Sequence, residues 1–205
     1  MLRLLDWSKG RVNVVSRKEI RDWAERRYSA PSPHFIKQNC LLRNGVPGAT
    51  WIETGTFMGD TTAFLALHAP QVYSIEPEPR LYKQVSALFE NHKHVEILNG
   101  LSEVVLPTLL SKVRGDVNFW LDGHYSAGIT FKGPVDTPVI AELKAIAENL
   151  QQLGRVSVLV DDVRCFDPSL QEYSTYPSVD YLVDWARAHQ LKWHIEQDIF
   201  IAKNY

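Results

Sequence analysis

Cysteine and long apolar runs are both scarce in this 205-residue sequence. Two cysteines, Cys40 and Cys165, are too few for a disulfide framework or a zinc cluster, and they give no reason to expect an oxidising compartment. No stretch approaches the roughly 20 apolar residues that span a bilayer. The charged start, residues 1–6, is too short for a signal peptide. We therefore expect a cytoplasmic protein with no membrane partner.

An excess of one charge is also lacking, because 22 Lys and Arg face 24 Asp and Glu for a net charge of -2. The 45% of hydrophobic residues is ample for a buried core and excludes wholesale disorder. Residues 1–43 nevertheless carry a balance of +6, which leaves -8 for the remainder. For this basic segment we favour a solvated helix face over nucleic-acid contact, because it lacks interleaved aromatic residues.

Short β-rich runs alternate with helical stripes from residue 49 onward, a pattern that indicates an α/β fold. Five near-continuous apolar runs are typical of parallel strands buried on both faces: they cover 50–53, 72–75, 95–98, 117–121 and 156–160. Two further runs, 191–195 and 198–203, are close enough for a closing antiparallel hairpin. Residues 1–45 predict a helical cap, with a capping box at Ser16 and Glu19, and residues 46–205 form the main domain.

Ligand-binding features follow the first three predicted strands, at the edge where open parallel sheets bind ligands. Gly55 and Gly59 lie in a strand-to-helix turn and allow the backbone to approach a ligand. Their spacing is not the Gly-x-Gly-x-x-Gly of a dinucleotide site. Glu76, about 20 residues beyond Gly55, suits a ribose diol. Gly100 and Ser102 follow the third strand, where they can pass beside an adenine.

These turns resemble those of class I S-adenosylmethionine-dependent methyltransferases, over roughly residues 49–205. The resemblance implies a Rossmann-like three-layer α/β/α sandwich with a mostly parallel seven-stranded sheet, a C-terminal antiparallel hairpin and S-adenosylmethionine as cofactor. The cofactor-binding residues that it implies are Glu53, Thr54, Gly55, Thr56, Gly59, Glu76, Gly100, Ser102 and Asp122.

Carboxylates also follow the fourth and fifth strands, namely Asp122 and the pair Asp161 and Asp162. Unpaired acids at adjacent strand ends repel one another, and a hard cation such as Mg²⁺ relieves that conflict. The pattern is similar to metal-dependent small-molecule O-methyltransferases, which implies these three acids as metal ligands and Asp122 as a catalytic residue. His124 follows where the catechol enzymes place a lysine, and its ordinary pKa suits a general base.

The sequence thus predicts methyl transfer from S-adenosylmethionine to a small-molecule oxygen with help from a divalent metal. Two alternatives stay open: an NAD(P)-dependent oxidoreductase, and a non-catalytic Rossmann-like binding protein that uses the basic N-terminus. Purely structural roles also remain for these residues. Asp161 and Asp162 would then be a helix cap and a surface acid, and His124 would fix its loop by a hydrogen bond to a carboxylate. The cap and the loop 123–137 are expected to determine substrate specificity. Whether the protein forms a homo-oligomer is left open.

Overall fold

All seven predicted strands form one sheet in the computed structural model, which describes residues 17–123 and 137–205. The strands are β1 (Thr50–Thr54), β2 (Val72–Glu76), β3 (Val95–Asn99), β4 (Gly115–Leu121), β5 (Leu153–Val160), β6 (Lys192–Glu196) and β7 (Ile199–Lys203). The helices are α1 (Arg17–Glu25), α2 (His34–Asn44), α3 (Asp60–Ala66), α4 (Pro79–Phe89), α5 (Ser102–Leu110), α6 (Val139–Asn149) and α7 (Val179–Ala188). None of these helices has the length and apolar character to cross a membrane.

The strand order is β3-β2-β1-β4-β5-β7-β6, and β7 runs antiparallel to both of its neighbours. This confirms the predicted Rossmann-like fold with its reversed hairpin. The hairpin turn consists of Gln197 and Asp198, both with positive φ, one residue later than predicted. Two left-handed residues are typical of a type I′ turn, whose twist matches that of the flanking strands. Because β1 lies between β2 and β4, the strand order reverses there and opens a crevice at the carboxyl ends.

Apolar side chains cover both faces of the sheet. On one face, Phe119 of β4 packs in a cluster with Leu106 of α5, Leu143 of α6 and Leu182 of α7. On the other face, Trp120 joins a second cluster. Neighbouring strand residues point to opposite faces of the sheet. Because consecutive residues such as Phe119 and Trp120 are both buried, helices must cover both faces, which gives three layers.

The second helix of the cap, α2, was not predicted. Cys40 and Leu41 of α2 are buried in the same cluster as Trp120. Just beyond the helix, the buried Asn118 of β4 accepts a hydrogen bond from the Val46 N–H at 2.8 Å and donates one to its carbonyl at 3.0 Å. This cap helix is therefore packed directly on the sheet, and it continues to the strand ends where the candidate site lies.

Candidate functional site

Backbone hydrogen bonds join the segments that leave the central strands. The Asp122 N–H donates to the Thr54 carbonyl at 3.1 Å, and the Asp161 N–H donates to the Leu121 carbonyl at 3.0 Å. The Gly55 N–H donates to the Ile75 carbonyl, also at 3.0 Å. The turns after β1, β4 and β5 are therefore held side by side, as the sequence predicts.

Gly55 lies where the turns after β1 and β4 meet. Its φ is +88°, and a Cβ placed there would lie 2.4 Å from the backbone oxygen of Asp122. Only glycine accepts both this backbone conformation and this approach. Gly59 also has a positive φ, +82°, directly before α3. These two glycines therefore set the path of the turn between β1 and α3.

Glu76 is buried at the tip of β2, with its carboxylate fixed by the backbone. One oxygen accepts a hydrogen bond from the Phe57 N–H at 2.8 Å, and the other accepts from the Glu78 N–H at 2.9 Å. Burial raises the pKa of Glu76, while the two backbone donors favour its ionised form. Each carboxylate oxygen has a second lone pair, so a diol can still be bound. These acceptor oxygens fit the two hydroxyls of a ribose.

Three other predicted cofactor residues lie beneath the turn. The Glu53 carboxyl accepts hydrogen bonds from the hydroxyls of Thr62 at 2.5 Å and Ser74 at 2.6 Å, and burial raises its pKa to about 8. The Thr56 hydroxyl is 2.6 Å from that of Ser74, and Thr54 is fully buried. The Glu53 and Thr56 side chains thus support the turn from below.

The predicted adenine turn follows β3. Gly100 has a φ of +145°, a conformation open to glycine, and a Cβ there would approach a Val105 methyl group at 2.8 Å. Ser102 is buried at the first position of α5. Both residues stand at the same sheet edge as Glu76, whose backbone carbonyl accepts a hydrogen bond from the Gly100 N–H at 3.2 Å.

The three predicted metal ligands do converge, because oxygens of Asp122, Asp161 and Asp162 lie within 4.8 Å of one another. Two of these acids have a basic partner that the sequence did not reveal. The Lys37 ammonium of α2 lies 2.6 and 2.8 Å from the two Asp161 oxygens and 2.8 Å from an Asp162 oxygen. All three of these side chains are nearly inaccessible, with exposures of 11%, 6% and 8%.

A second basic side chain, Arg164, binds the far side of the cluster. Its guanidinium donates to Asp162 at 2.5 Å and also bonds Asp198, the second residue of the β6–β7 turn. The Arg164 N–H donates to the other Asp198 oxygen at 2.9 Å. Asp162 itself has a φ of +56°, which is unusual for a residue with a side chain. The turn after β5 is therefore held between α2 and the hairpin.

These contacts determine the protonation of Asp161 and Lys37 and decide whether the cluster can bind a metal ion. Burial and the Asp122 carboxylate raise the pKa of Asp161, which Lys37 lowers. Burial alone would lower the pKa of Lys37, but Asp161 and Asp162 outweigh it, so the ammonium stays charged. Mg²⁺ needs oxygen ligands at about 2.0–2.1 Å, and Lys37 already binds three of the candidate oxygens. The residues as arranged do not fit a divalent ion.

A cavity of about 140 Å³ opens beside the cluster. Its lining includes Asp122, Asp161, Trp120 and three residues of α2 that the sequence analysis missed, His34, Lys37 and Gln38. The ring of His34 is 2.9 Å from the Gln38 amide nitrogen. Partial burial lowers the pKa of His34, although the residue as a whole is exposed and water screens this effect. A larger cavity of about 580 Å³, along α5 and β2, contains none of the predicted site residues.

Glu142 of α6 is a further polar residue that the sequence analysis missed. It is 1% exposed, burial raises its pKa to about 7, and one of its oxygens has no hydrogen-bond partner in the described part of the chain. That oxygen would lie 3.3 Å from a Cβ on Gly123, directly after Asp122. The signal for it was an acid between Val139 and Leu143 in the apolar stripe. His124, the predicted base, lies outside the described residues.

Comparisons with known proteins identify the fold. No protein-family profile and no curated protein matches the chain. Among solved structures, an O-methyltransferase from Bacillus cereus, in complex with S-adenosylhomocysteine, matches with a TM-score of 0.58 and 16% identity, over 91% of this chain and 88% of that one. The N-methyltransferase NodS from Bradyrhizobium japonicum, also in complex with S-adenosylhomocysteine, matches with a TM-score of 0.53 and 12% identity, over 90% of this chain and 96% of that one. The 23S rRNA methyltransferase ErmE matches with a TM-score of 0.51 and 15% identity, over 85% of this chain and 68% of that one.

Proposed function

From the shared fold of class I S-adenosylmethionine-dependent methyltransferases, we propose that this protein transfers a methyl group from S-adenosylmethionine to an oxygen atom of a small molecule. The observation that carries the proposal is the Glu76 carboxylate, fixed by two backbone N–H groups beside the Gly55–Gly59 turn. A buried acid held in this way at the second strand end is an acceptor prepared for two hydroxyl groups.

The proposed cofactor site consists of Glu76 for the ribose, the Gly100–Ser102 turn for the adenine and the Gly55–Gly59 turn with Asp122 for the amino-acid end. When bound, S-adenosylmethionine supplies a methyl group on a sulfonium centre. Asp122 adds negative charge beside that cation, and the half-buried position of Asp122 limits screening by water. Glu53, Thr56 and Ser74 maintain the turn in position from below.

The acceptor is proposed to enter the cavity between α2 and the end of β4. About 140 Å³ is small beside the roughly 300–1,000 Å³ of pockets that enclose drug-sized ligands. The described residues therefore enclose only the reacting end of an acceptor. His34 lines this cavity and is a candidate to accept the hydroxyl proton, in the role predicted for His124.

The alternatives differ in what the site would bind. An oxidoreductase would share the sheet and the ribose acid, but the glycine spacing and the reversed hairpin favour a methyltransferase. The similarity to B. cereus O-methyltransferase supports an oxygen acceptor, whereas NodS and ErmE act on other acceptors by their names. A binding protein without turnover would bind S-adenosylhomocysteine and release no methylated product. Assistance by Mg²⁺, which the sequence predicts, is not part of this proposal, because Lys37 binds the candidate ligand oxygens.

Calorimetric titration with S-adenosylhomocysteine tests the proposed cofactor. We expect a Kd on the order of micromolar, weakened at least about 100-fold in Glu76→Ala, because two hydrogen bonds to a charged group are lost. Glu96→Ala, an exposed change on β3, is the matched control and should bind normally. Binding of NAD(P)H and not of S-adenosylhomocysteine would instead establish the oxidoreductase. Mass spectrometry of acceptor mixtures with labelled methyl donor then separates oxygen from nitrogen products.

A further inference from the structure

We propose that Lys37 is the resident cation of the Asp122–Asp161–Asp162 cluster and that the acceptor site works without a divalent metal ion. The inference concerns the same site as the proposed function, and its consequence for catalysis rests on that function. Its central claim, which cation the acids hold, can be tested on the protein without any acceptor.

The geometry of Lys37 matches that of a cation enclosed by the cluster. Its ammonium has three N–H donors, and it lies within 2.8 Å of both Asp161 oxygens and of one Asp162 oxygen. Its side chain is 11% exposed, so water screens the ion pairs weakly. The third acid, Asp122, lines the same cavity as Lys37. Lys37 therefore supplies the positive charge for which a metal was expected.

The helix that carries Lys37 is anchored on both sides of it. Before Lys37, the Ser32 hydroxyl donates to the Gln197 side chain at 2.7 Å. After it, the Asn44 amide donates to Glu196 at 2.9 Å, and Arg43 forms an ion pair with the same carboxylate. These contacts fix α2 to the β6–β7 hairpin, so Lys37 is held over the acids from two points and its placement does not depend on its own ion pairs alone.

Arg164 adds to the same arrangement from the opposite side. It binds Asp162 and Asp198 and so leaves the cluster with two basic partners for its buried acids. A divalent ion that enters the cluster beside Lys37 and Arg164 would have to displace Lys37 from Asp161. The buried ammonium would then be left without its partners. Buried charges without partners are strongly disfavoured, which favours the lysine over the metal in the intact protein.

This assignment narrows the class of acceptor. A metal site would bind two neighbouring hydroxyls by chelation, whereas a lysine site binds an acceptor through hydrogen bonds. The cavity offers Lys37, Gln38 and Trp120, whose buried indole N–H has no hydrogen-bond partner among the residues described. Under the proposed function, the acceptor therefore needs a single hydroxyl and no adjacent one.

The first test is a titration of the chelator-treated wild-type protein with Mn²⁺ at pH 8, followed by electron paramagnetic resonance. We expect no saturable binding at the cluster up to millimolar Mn²⁺. One equivalent of Mn²⁺ bound in the wild type with a Kd below 0.1 mM, and lost in Asp161→Asn, would overturn the proposal.

The second test removes the lysine. Lys37→Met vacates the cluster, and we expect it to bind Mn²⁺ at least tenfold more tightly than the wild type, with the gain lost in Lys37→Met/Asp161→Asn. Arg43→Met is the matched control, because it breaks another ion pair of α2 without touching the acids, and it should gain no Mn²⁺ binding. A folded Lys37→Met without any gain would contradict the assignment. If this variant does not fold, the wild-type titration decides.

The catalytic consequence has its own readout. Once an acceptor is found, turnover of the wild type should change less than twofold between excess chelator and millimolar Mg²⁺. Chelator-sensitive turnover restored by Mg²⁺ would refute metal independence while supporting methyl transfer. Failure to bind S-adenosylhomocysteine would refute the proposed function and leave the Mn²⁺ result on Lys37 standing.

Discussion

Replacing the buried Glu53 by Gln is expected to make the protein less sensitive to alkaline pH. Burial raises the pKa of Glu53 from the ordinary 4.5 to about 8, so the folded protein holds a proton that the unfolded chain releases. Glutamine has nearly the same shape and retains an oxygen that accepts from Thr62 or Ser74. The variant therefore removes the titration while keeping most of the packing.

The sign and the size of the effect follow from proton linkage. A carboxyl with a raised pKa in the folded state stabilises the protein fully below pH 4.5. This contribution is lost progressively as the pH rises from 4.5 through 8. Between pH 5 and pH 7 the loss is about 2.5 kcal/mol, since each pH unit between the two pKa values is worth about 1.4 kcal/mol. The Gln variant lacks this loss, whereas other titrating groups such as Glu142 contribute equally to both proteins.

Urea unfolding at pH 5, 6, 7 and 8 measures the difference. The free energy of unfolding of Glu53→Gln, minus that of the wild type, should increase by about 2.5 kcal/mol from pH 5 to pH 7. Glu96→Gln, at an exposed position on β3, is the control and should run parallel to the wild type. A constant difference between Glu53→Gln and the wild type across this range would show that Glu53 is ionised in the folded protein and that the reasoning is wrong.

Three further predictions concern stability and the turn. Gly55→Ala should lose about 2–5 kcal/mol of stability and its affinity for S-adenosylhomocysteine, because its Cβ would lie 2.4 Å from the Asp122 backbone oxygen at a φ of +88°. Gly48→Ala, with a φ of +73° and no neighbour within 4 Å, should lose only about 1 kcal/mol; equal losses would exclude the contact as the cause. Asn118→Ala leaves the buried N–H of Val46 unpaired and removes one of the two hydrogen bonds to its carbonyl, so it should lower the free energy of unfolding by about 1–3 kcal/mol in urea. Leu143→Ala, fully buried on α6, should lower it by about 2–5 kcal/mol, and a loss below 1 kcal/mol would mean that the site collapses around the cavity.

The strands were predictable because each is a short apolar run whose signal is local. The run from Val117 to Leu121 is buried on both faces, and no distant residue is needed to recognise it. The position of Glu76 was predictable for a related reason, since parallel strands end at one edge of the sheet and a polar residue at the end of such a strand must lie there. The convergence of Asp122 with Asp161 follows in the same way.

Helix α2 escaped the sequence analysis because its pattern is weak. It begins after Pro33 and buries polar Gln38 and Asn44 beside Cys40 and Leu41, so no clean apolar stripe marks it. Asn44 is satisfied by the Glu196 side chain, 152 residues away. Such a helix is stabilised by the surface on which it packs and is not recognisable from its own composition.

The sequence by itself determined the sheet, the edge that carries the site and the acids that follow β4 and β5. Only the tertiary structure decided what those acids hold. Lys37 is 124 residues from Asp161 along the chain, and no local pattern relates the two. Three carboxylates at one edge require positive charge, a physical necessity that the sequence reveals. Whether a metal ion or a lysine supplies that charge depends on how α2 packs across the strand ends, and packing at that distance is a property of the folded chain.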